Sequence, residues 1–184
     1  MTRPLKIDAN YFESYADSGK PYREEWELYS GIPDDLEMVM NICKPETIAV
    51  LGTATGECLK YIHDKTGIVP VGCEISKHAH SQIPQEYRSY IKNMCLSKYL
   101  MTITGDKIDV MFTNSLVYLS KIKLRQVMGM LRWKAKWVHS SSSTLESHCE
   151  DPYRRILKPE AWWVEHFTDV NFFQEKRFLF RNMN

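Results

Sequence analysis

The stretch Val50-Leu51-Gly52-Thr53-Ala54-Thr55-Gly56-Glu57 leads from an apolar, partly β-branched run into a helical pattern, with a glycine at each end of the turn. A strand-to-helix turn needs both. Gly52 lets the chain bend tightly and approach a ligand, and Gly56 relieves crowding where the helix starts. Backbone N–H groups at such a start face a bound cosubstrate. Glu74 lies eighteen residues beyond Gly56, closing the next apolar run, where a carboxylate accepts hydrogen bonds from both ribose hydroxyls of a nucleoside. Turn and acid together describe one nucleoside site. A dinucleotide fingerprint, GxGxxG, would require glycine where this chain has Ala54 and Glu57, which disfavours NAD or FAD.

Another residue able to do chemistry sits at the end of a later apolar run. His139 closes 135–139, so it belongs at the carboxyl end of a strand, where open α/β sheets bind ligands. His139 is the best-placed general base and His148 the second, although histidines more often serve structural or surface roles. His78-Ala79-His80 and His148-Cys149-Glu150-Asp151 gather possible metal ligands without a second pair at zinc-like spacing, so no metal is expected.

Positioning these residues requires a βαβ succession. Residues 22–30 and 33–43 carry Trp26, Leu28, Leu36, Val39 and Met40 at helical spacing, giving two helices ahead of the sheet. Strands are expected at 47–51, 68–73, 89–92 (the weakest), 108–113 and 135–139, with helices from 56, 77 and 116. Leu119, Ile122, Val127, Met130 and Leu131 make the expected buried stripe of the helix over 116–131. A last helix opens at Pro159. Strands at 171–174 and 177–180 are separated by Glu175 and Lys176 alone, so they must form an antiparallel hairpin.

The chain has 184 residues, 43% apolar and 26% charged, which suits one ordinary globular domain. Its first residues show no secretory pattern, and no apolar run reaches bilayer length, so no membrane partner is expected. Five cysteines without a CxxC pair suit a reducing, cytoplasmic setting. A net charge of +1 conceals an uneven distribution: residues 1–46 sum to −5 and the remainder to +6. From Leu116 to His139 there are six cations, Lys121, Lys123, Arg125, Arg132, Lys134 and Lys136, and no acid, a solvated helix face that keeps RNA open as a partner.

On the turn, on the acid ending the second strand and on Ile108-Asp109-Val110-Met111-Phe112-Thr113-Asn114-Ser115, the chain resembles the class I, Rossmann-like S-adenosylmethionine-dependent methyltransferases of the small single-domain kind. The resemblance spans roughly 47–180, and Asp151-Pro152-Tyr153-Arg154-Arg155, Trp162-Trp163 and the terminal hairpin look like the tail of such proteins. It implies an α/β three-layer sandwich with a mostly parallel seven-stranded sheet and an antiparallel C-terminal hairpin strand. It further implies one domain over 1–184, with 1–46 as a helical lid carrying Tyr11, Tyr15, Tyr22, Arg23, Trp26 and Tyr29, and 47–184 as the core. S-adenosylmethionine would be the methyl donor and S-adenosylhomocysteine the product. Gly52, Thr53, Ala54 and Gly56 would line the methionine portion, Glu74 and Ile75 the ribose, Asn93 and Met94 the adenine, and Asn114 with Ser115 the sulfonium side. Tyr22 and Arg23 are further candidates for the methionine carboxylate.

Two positions depart from the family's pattern: Ala54 replaces the middle glycine, and Asn93-Met94-Cys95 lacks the acid that often meets the adenine amine. Asn114-Ser115-Leu116-Val117 is not the Asn/Asp-Pro-Pro-aromatic signature of base or glutamine-amide methylation, and there is no Pro-Cys pair for cytosine C5 chemistry. The expected acceptor is therefore a small molecule. The alternatives are a catalytically silent methyltransferase-like binding module and an RNA or protein methyltransferase.

Overall fold

A computed structural model of the chain describes residues 9–13, 20–141, 153–166, 170–174 and 177–181. After helices α1 (Ala9–Glu13), α2 (Tyr22–Ser30) and α3 (Ile32–Cys43) the chain enters β1 (Ile48–Leu51), α4 (Glu57–Thr66) and β2 (Val71–Glu74). Two short helices, α5 (Lys77–Gln82) and α6 (Gln85–Arg88), lead to β3 (Ile91–Asn93) and α7 (Leu96–Thr102). Then come β4 (Ile108–Thr113), a 3-10 turn (Leu116–Tyr118), α8 (Lys121–Lys134), β5 (Ala135–Ser141), α9 (Glu160–His166), β6 (Val170–Gln174) and β7 (Arg177–Arg181).

The sheet order is β3-β2-β1-β4-β5-β7-β6. The first five of these strands run parallel, while β7 pairs antiparallel with β5 and β6 antiparallel with β7. Chain order reverses between β1 and β4, and that switch point opens a crevice at the carboxyl ends of the strands. All four residues of β1 are buried, as expected of a central parallel strand covered on both faces. Alternation along β4 divides the core. Val110 and Phe112 join Leu36, Val39, Leu59 and Ile62 from α3 and α4 on one face, whereas Met111 joins Leu124, Val127, Leu131 and Trp163 on the other.

Three details differ from the sequence reading. The second strand begins at Val71 rather than Ile68, because Pro70 has no N–H to give the ladder. The helix expected from 116 starts only at Lys121, where the Ser120 hydroxyl accepts from the Lys123 N–H at 3.4 Å. The buried row is Leu124, Val127, Met128 and Leu131, which leaves Ile122 on the opposite side, 72% exposed, with Leu119 and Met130 at the half-buried margin. Finally, α6 and α7 had no clear signal, being four and seven residues long.

Candidate functional site

The turn after β1 hangs on the end of β2. Gly52 and Thr53 both donate their N–H groups to the Cys73 carbonyl, at 2.9 and 3.3 Å, while Gly56 closes the bend onto the Thr53 carbonyl at 3.0 Å. Gly52 has φ +86°, and a Cβ there would lie 2.0 Å from Ser115 Oγ, so the position excludes side chains on two counts. Gly56, at φ +94°, lies against Ile83 and Pro84. Ala54 is also left-handed, at φ +49°, a region that disfavours any residue with a Cβ by about 1–2 kcal/mol.

Glu74 is the acid this turn meets. Its Oε2 accepts from the Ala54 N–H at 2.9 Å and its Oε1 from the Ser76 N–H at 2.7 Å. The residue is only 5% exposed. Burial pushes its carboxyl up to about 7, against the opposite pull of the N–H groups of Ser76, Ala54 and Ile75. Ile75 beside it is exposed. The Asn93 amide donates to the Glu74 carbonyl at 2.9 Å, which ties the end of β3 to the same point, and Met94 is half-buried next to it. Thr53 Oγ1 is buried and finds no hydrogen-bond partner among the described residues.

From β4 the Ser115 hydroxyl donates to the Leu51 carbonyl at 3.2 Å and so abuts Gly52 directly. The Asn114 amide donates to the Ser30 carbonyl at 2.7 Å, binding the α2–α3 junction to the sheet. His139 is placed differently: fully buried on β5, it meets Asp35 of α3 at Nε2–Oδ2 2.8 Å and packs its ring on Phe112 at 5.1 Å, while Nδ1 has no partner among the described residues. The structure thus joins Gly52, Ala54, Glu74, Asn93 and Ser115 through direct contacts, and it sets His139 in a separate buried pair.

Above the turn, Tyr11 and Phe12 of α1 are buried with Ala54 and Ala79, and Tyr22 and Tyr153 pack around them. The Tyr11 hydroxyl donates to that of Tyr118 at 2.9 Å, and its ring meets Tyr153 edge-on at 4.8 Å. Phe12 and Tyr118 escaped the sequence reading because the fold, not spacing, unites them. Arg23 pairs with Glu13 at 3.5 Å, and His78 reaches the same carboxylate at 3.1 Å. His80 donates instead to the Ile91 carbonyl at 2.9 Å. Tyr15 and the cluster His148-Cys149-Glu150-Asp151 lie outside the described residues. Burial pushes the thiols of Cys58 and Cys73 up to about 12, which keeps both protonated beside the turn.

No family model and no curated protein matches the sequence. Solved structures do match in fold. A SAM-dependent methyltransferase from Archaeoglobus fulgidus superposes with TM-score 0.58 at 15% identity, over 77% of this chain and 70% of that one. Magnesium protoporphyrin IX methyltransferase (ChlM) from Synechocystis PCC 6803, solved with bound SAH, gives TM-score 0.57 at 10% identity over 79% and 78%. WbdD, described as a bifunctional kinase-methyltransferase, gives 0.63 at 14% identity, and this chain spans 42% of its length. The architecture is therefore the Rossmann-like fold seen in S-adenosylmethionine-dependent methyltransferases.

Proposed function

We propose that this chain is a single S-adenosylmethionine-binding domain, 1–46 forming a helical lid and 47–184 the core, that transfers a methyl group to a small-molecule acceptor. The observation that carries the reading is the 2.9 Å hydrogen bond from the Ala54 N–H to Glu74: turn and acid meet at the carboxyl ends of adjacent parallel strands. Two features of the residues fit the donor: among the described residues Thr53 Oγ1 is a buried polar atom without a hydrogen-bond partner, and Glu74 has acceptor capacity beyond its backbone bonds. A sheet extended to seven strands by the reversed C-terminal hairpin, together with the fold likeness, also supports it.

In this reading Gly52, Thr53, Ala54 and Gly56 hold the methionine portion, Glu74 and Ile75 the ribose, and Asn93 with Met94 the adenine. S-adenosylmethionine, when bound, supplies a methyl group on a sulfonium, and S-adenosylhomocysteine leaves as product. Asn114 and Ser115 flank the reacting side and keep the acceptor in line, which supplies much of the rate for a good leaving group. His139 is fully buried in its pair with Asp35, apart from the turn, so it anchors α3 to β5 rather than taking the proton of a hydroxyl or acid acceptor. The buried aromatic rings of α1 exclude water from the turn. No described helix is long and apolar enough to cross a membrane, and Cys43, Cys58, Cys73 and Cys95 are free thiols, in keeping with a cytoplasmic setting.

Titrating S-adenosylmethionine and S-adenosylhomocysteine by calorimetry and thermal shift tests the reading. A raised melting temperature is expected with both, since ligand binding stabilises the folded state. Silence toward both ligands removes the proposal. A second reading, a silent binding module, draws on the backbone bonds that already occupy both Glu74 oxygens. Methylated product recovered from a panel of small-molecule acceptors excludes it.

A further inference from the structure

The exposed face of α8 carries a pattern that the nucleoside site does not use. The helix buries Leu124, Val127, Met128 and Leu131. Opposite that row, spaced 4, 3 and 4 residues apart, stand Ile122, Gln126, Gly129 and Trp133. Ile122 is 72% and Trp133 68% exposed, so two large apolar side chains face water about 16 Å apart along one line of the helix. The 4-3-4 spacing is that of a seam packing against another helix.

Gly129 sits in the middle of this line. A Cβ there would meet nothing within 4 Å among the described residues, so the helix carries a destabilising glycine that none of them accounts for by packing. A missing side chain at the centre of an outward row lets a second backbone come close. Lys121 and Arg125 flank the row on one side and Lys123 on the other. All three are exposed and form no ion pair with a described residue. Lys136 is different, since it is bound to Asp109 at 2.6 Å. With no acid between Leu116 and His139, the flanks of this seam are cationic.

We propose that the Ile122-Gln126-Gly129-Trp133 face of α8 docks an amphipathic helix of a partner protein whose own seam is apolar and whose flanks are acidic. Trp133 and Ile122 supply the anchors, Gly129 the close approach, and Lys121, Lys123 and Arg125 the complementary charge. The helical partner is favoured over RNA because the two anchors stand on a seam interval with a glycine between them, whereas stacking on bases would place aromatic rings in series along the cationic surface.

Fluorescence anisotropy on the full chain tests this with a labelled peptide of about three heptads, leucine at a and d and glutamate at e and g. A scrambled peptide of the same composition and a labelled oligouridylate serve as comparisons. Saturable binding of the seam peptide is expected, weakened at least about tenfold by Trp133→Ala and by Gly129→Glu, with the scramble at least about tenfold weaker. Gly129→Glu should melt no lower than the parent, since its side chain enters open space, so its loss of binding reports docking and not misfolding. Absence of binding, equal binding of the scramble, or indifference to both substitutions overturns the proposal. Tighter, Trp133-dependent binding of oligouridylate, or a self-association abolished by the two variants in sedimentation, would overturn it in favour of RNA or of a second copy.

Discussion

Among the described residues two acids are buried, and they are used in opposite ways. Asp35, on α3, meets the imidazole of His139 inside the core, so each side chain removes the other from water. Glu74, at the end of β2, meets only backbone N–H groups, at Ala54 and Ser76, beside the exposed Ile75. Backbone donors are held in place by the fold whatever the side chain does. A carboxylate bound to them keeps further acceptor sites available for a hydroxyl pair, whereas one engaged by a buried ring is committed to holding two elements together. The partner, more than the depth of burial, separates a binding acid from an anchoring one.

The sharpest way to break this contrast is to remove the anchor. His139→Ala removes a fully buried ring and its hydrogen bond to Asp35, and the resulting core cavity together with the lost bond costs about 2–5 kcal/mol. Urea unfolding should report a drop of that size, while S-adenosylhomocysteine affinity, measured where the variant is still folded, stays within about twofold of the parent. A comparable loss of affinity would mean that the two acids are not separate.

Glu74→Ala should do the reverse. Losing an ionic acceptor from two ribose hydroxyls weakens S-adenosylhomocysteine about a hundredfold or more by calorimetry, since hydrogen bonds to charged groups contribute about 1.5–3 kcal/mol each. Stability should move less than in His139→Ala, because Glu74→Ala leaves two backbone N–H groups without an acceptor but removes no ring from the core. An unchanged affinity would refute the ribose assignment.

The same carboxyl makes a pH-dependent difference. Glu74 has a folded value of about 7 against an ordinary 4.5, so between those values the folded chain holds a proton that the unfolded chain has lost. Its contribution to stability is present below about 4.5 and is lost as pH rises through about 7. Denaturation from pH 5 to 8 should show the parent losing stability relative to Glu74→Gln, by on the order of 3 kcal/mol at most. Hydroxyl donors favour the ionised form, so donor affinity should rise over the same interval, with proton release visible in buffers of different ionisation enthalpy. A parallel pH course in parent and variant would contradict this.

Legibility in the sequence follows the same division. Gly52, Glu74 and the parallel strands were readable because each follows from a local rule: a glycine where the backbone turns, an acid where an apolar run stops, β-branched residues between breakers. Nothing in the spacing of residues 35 and 139 announces a pair 104 positions apart. Phe12, Tyr118 and Tyr153 were hidden for the same reason, as they meet at the turn from three separated segments. Ile122 turns outward because, nine residues from Leu131 at about 3.6 residues per turn, it stands on the opposite side of α8 from the row that Leu124, Val127, Met128 and Leu131 bury.

The smallest expected effect lies at Ala54, where the turn departs from the usual glycine. Its left-handed backbone, at φ +49°, disfavours a Cβ by about 1–2 kcal/mol, which glycine would relieve. Against this, the methyl group is buried among Tyr11, Phe12 and Ala79, and its removal forfeits about 0.8 kcal/mol of burial. Glycine also adds freedom to the unfolded chain, costing a further 0.4–1 kcal/mol or about that. The opposing effects nearly cancel, so Ala54→Gly should change unfolding free energy by less than about 1 kcal/mol in urea. The Ala54 N–H remains available to Glu74 in the variant, so donor affinity should hold as well. A loss well above that limit would mean that the methyl group is what holds α1 on the turn, and that the lid and the nucleoside site are one cooperative unit.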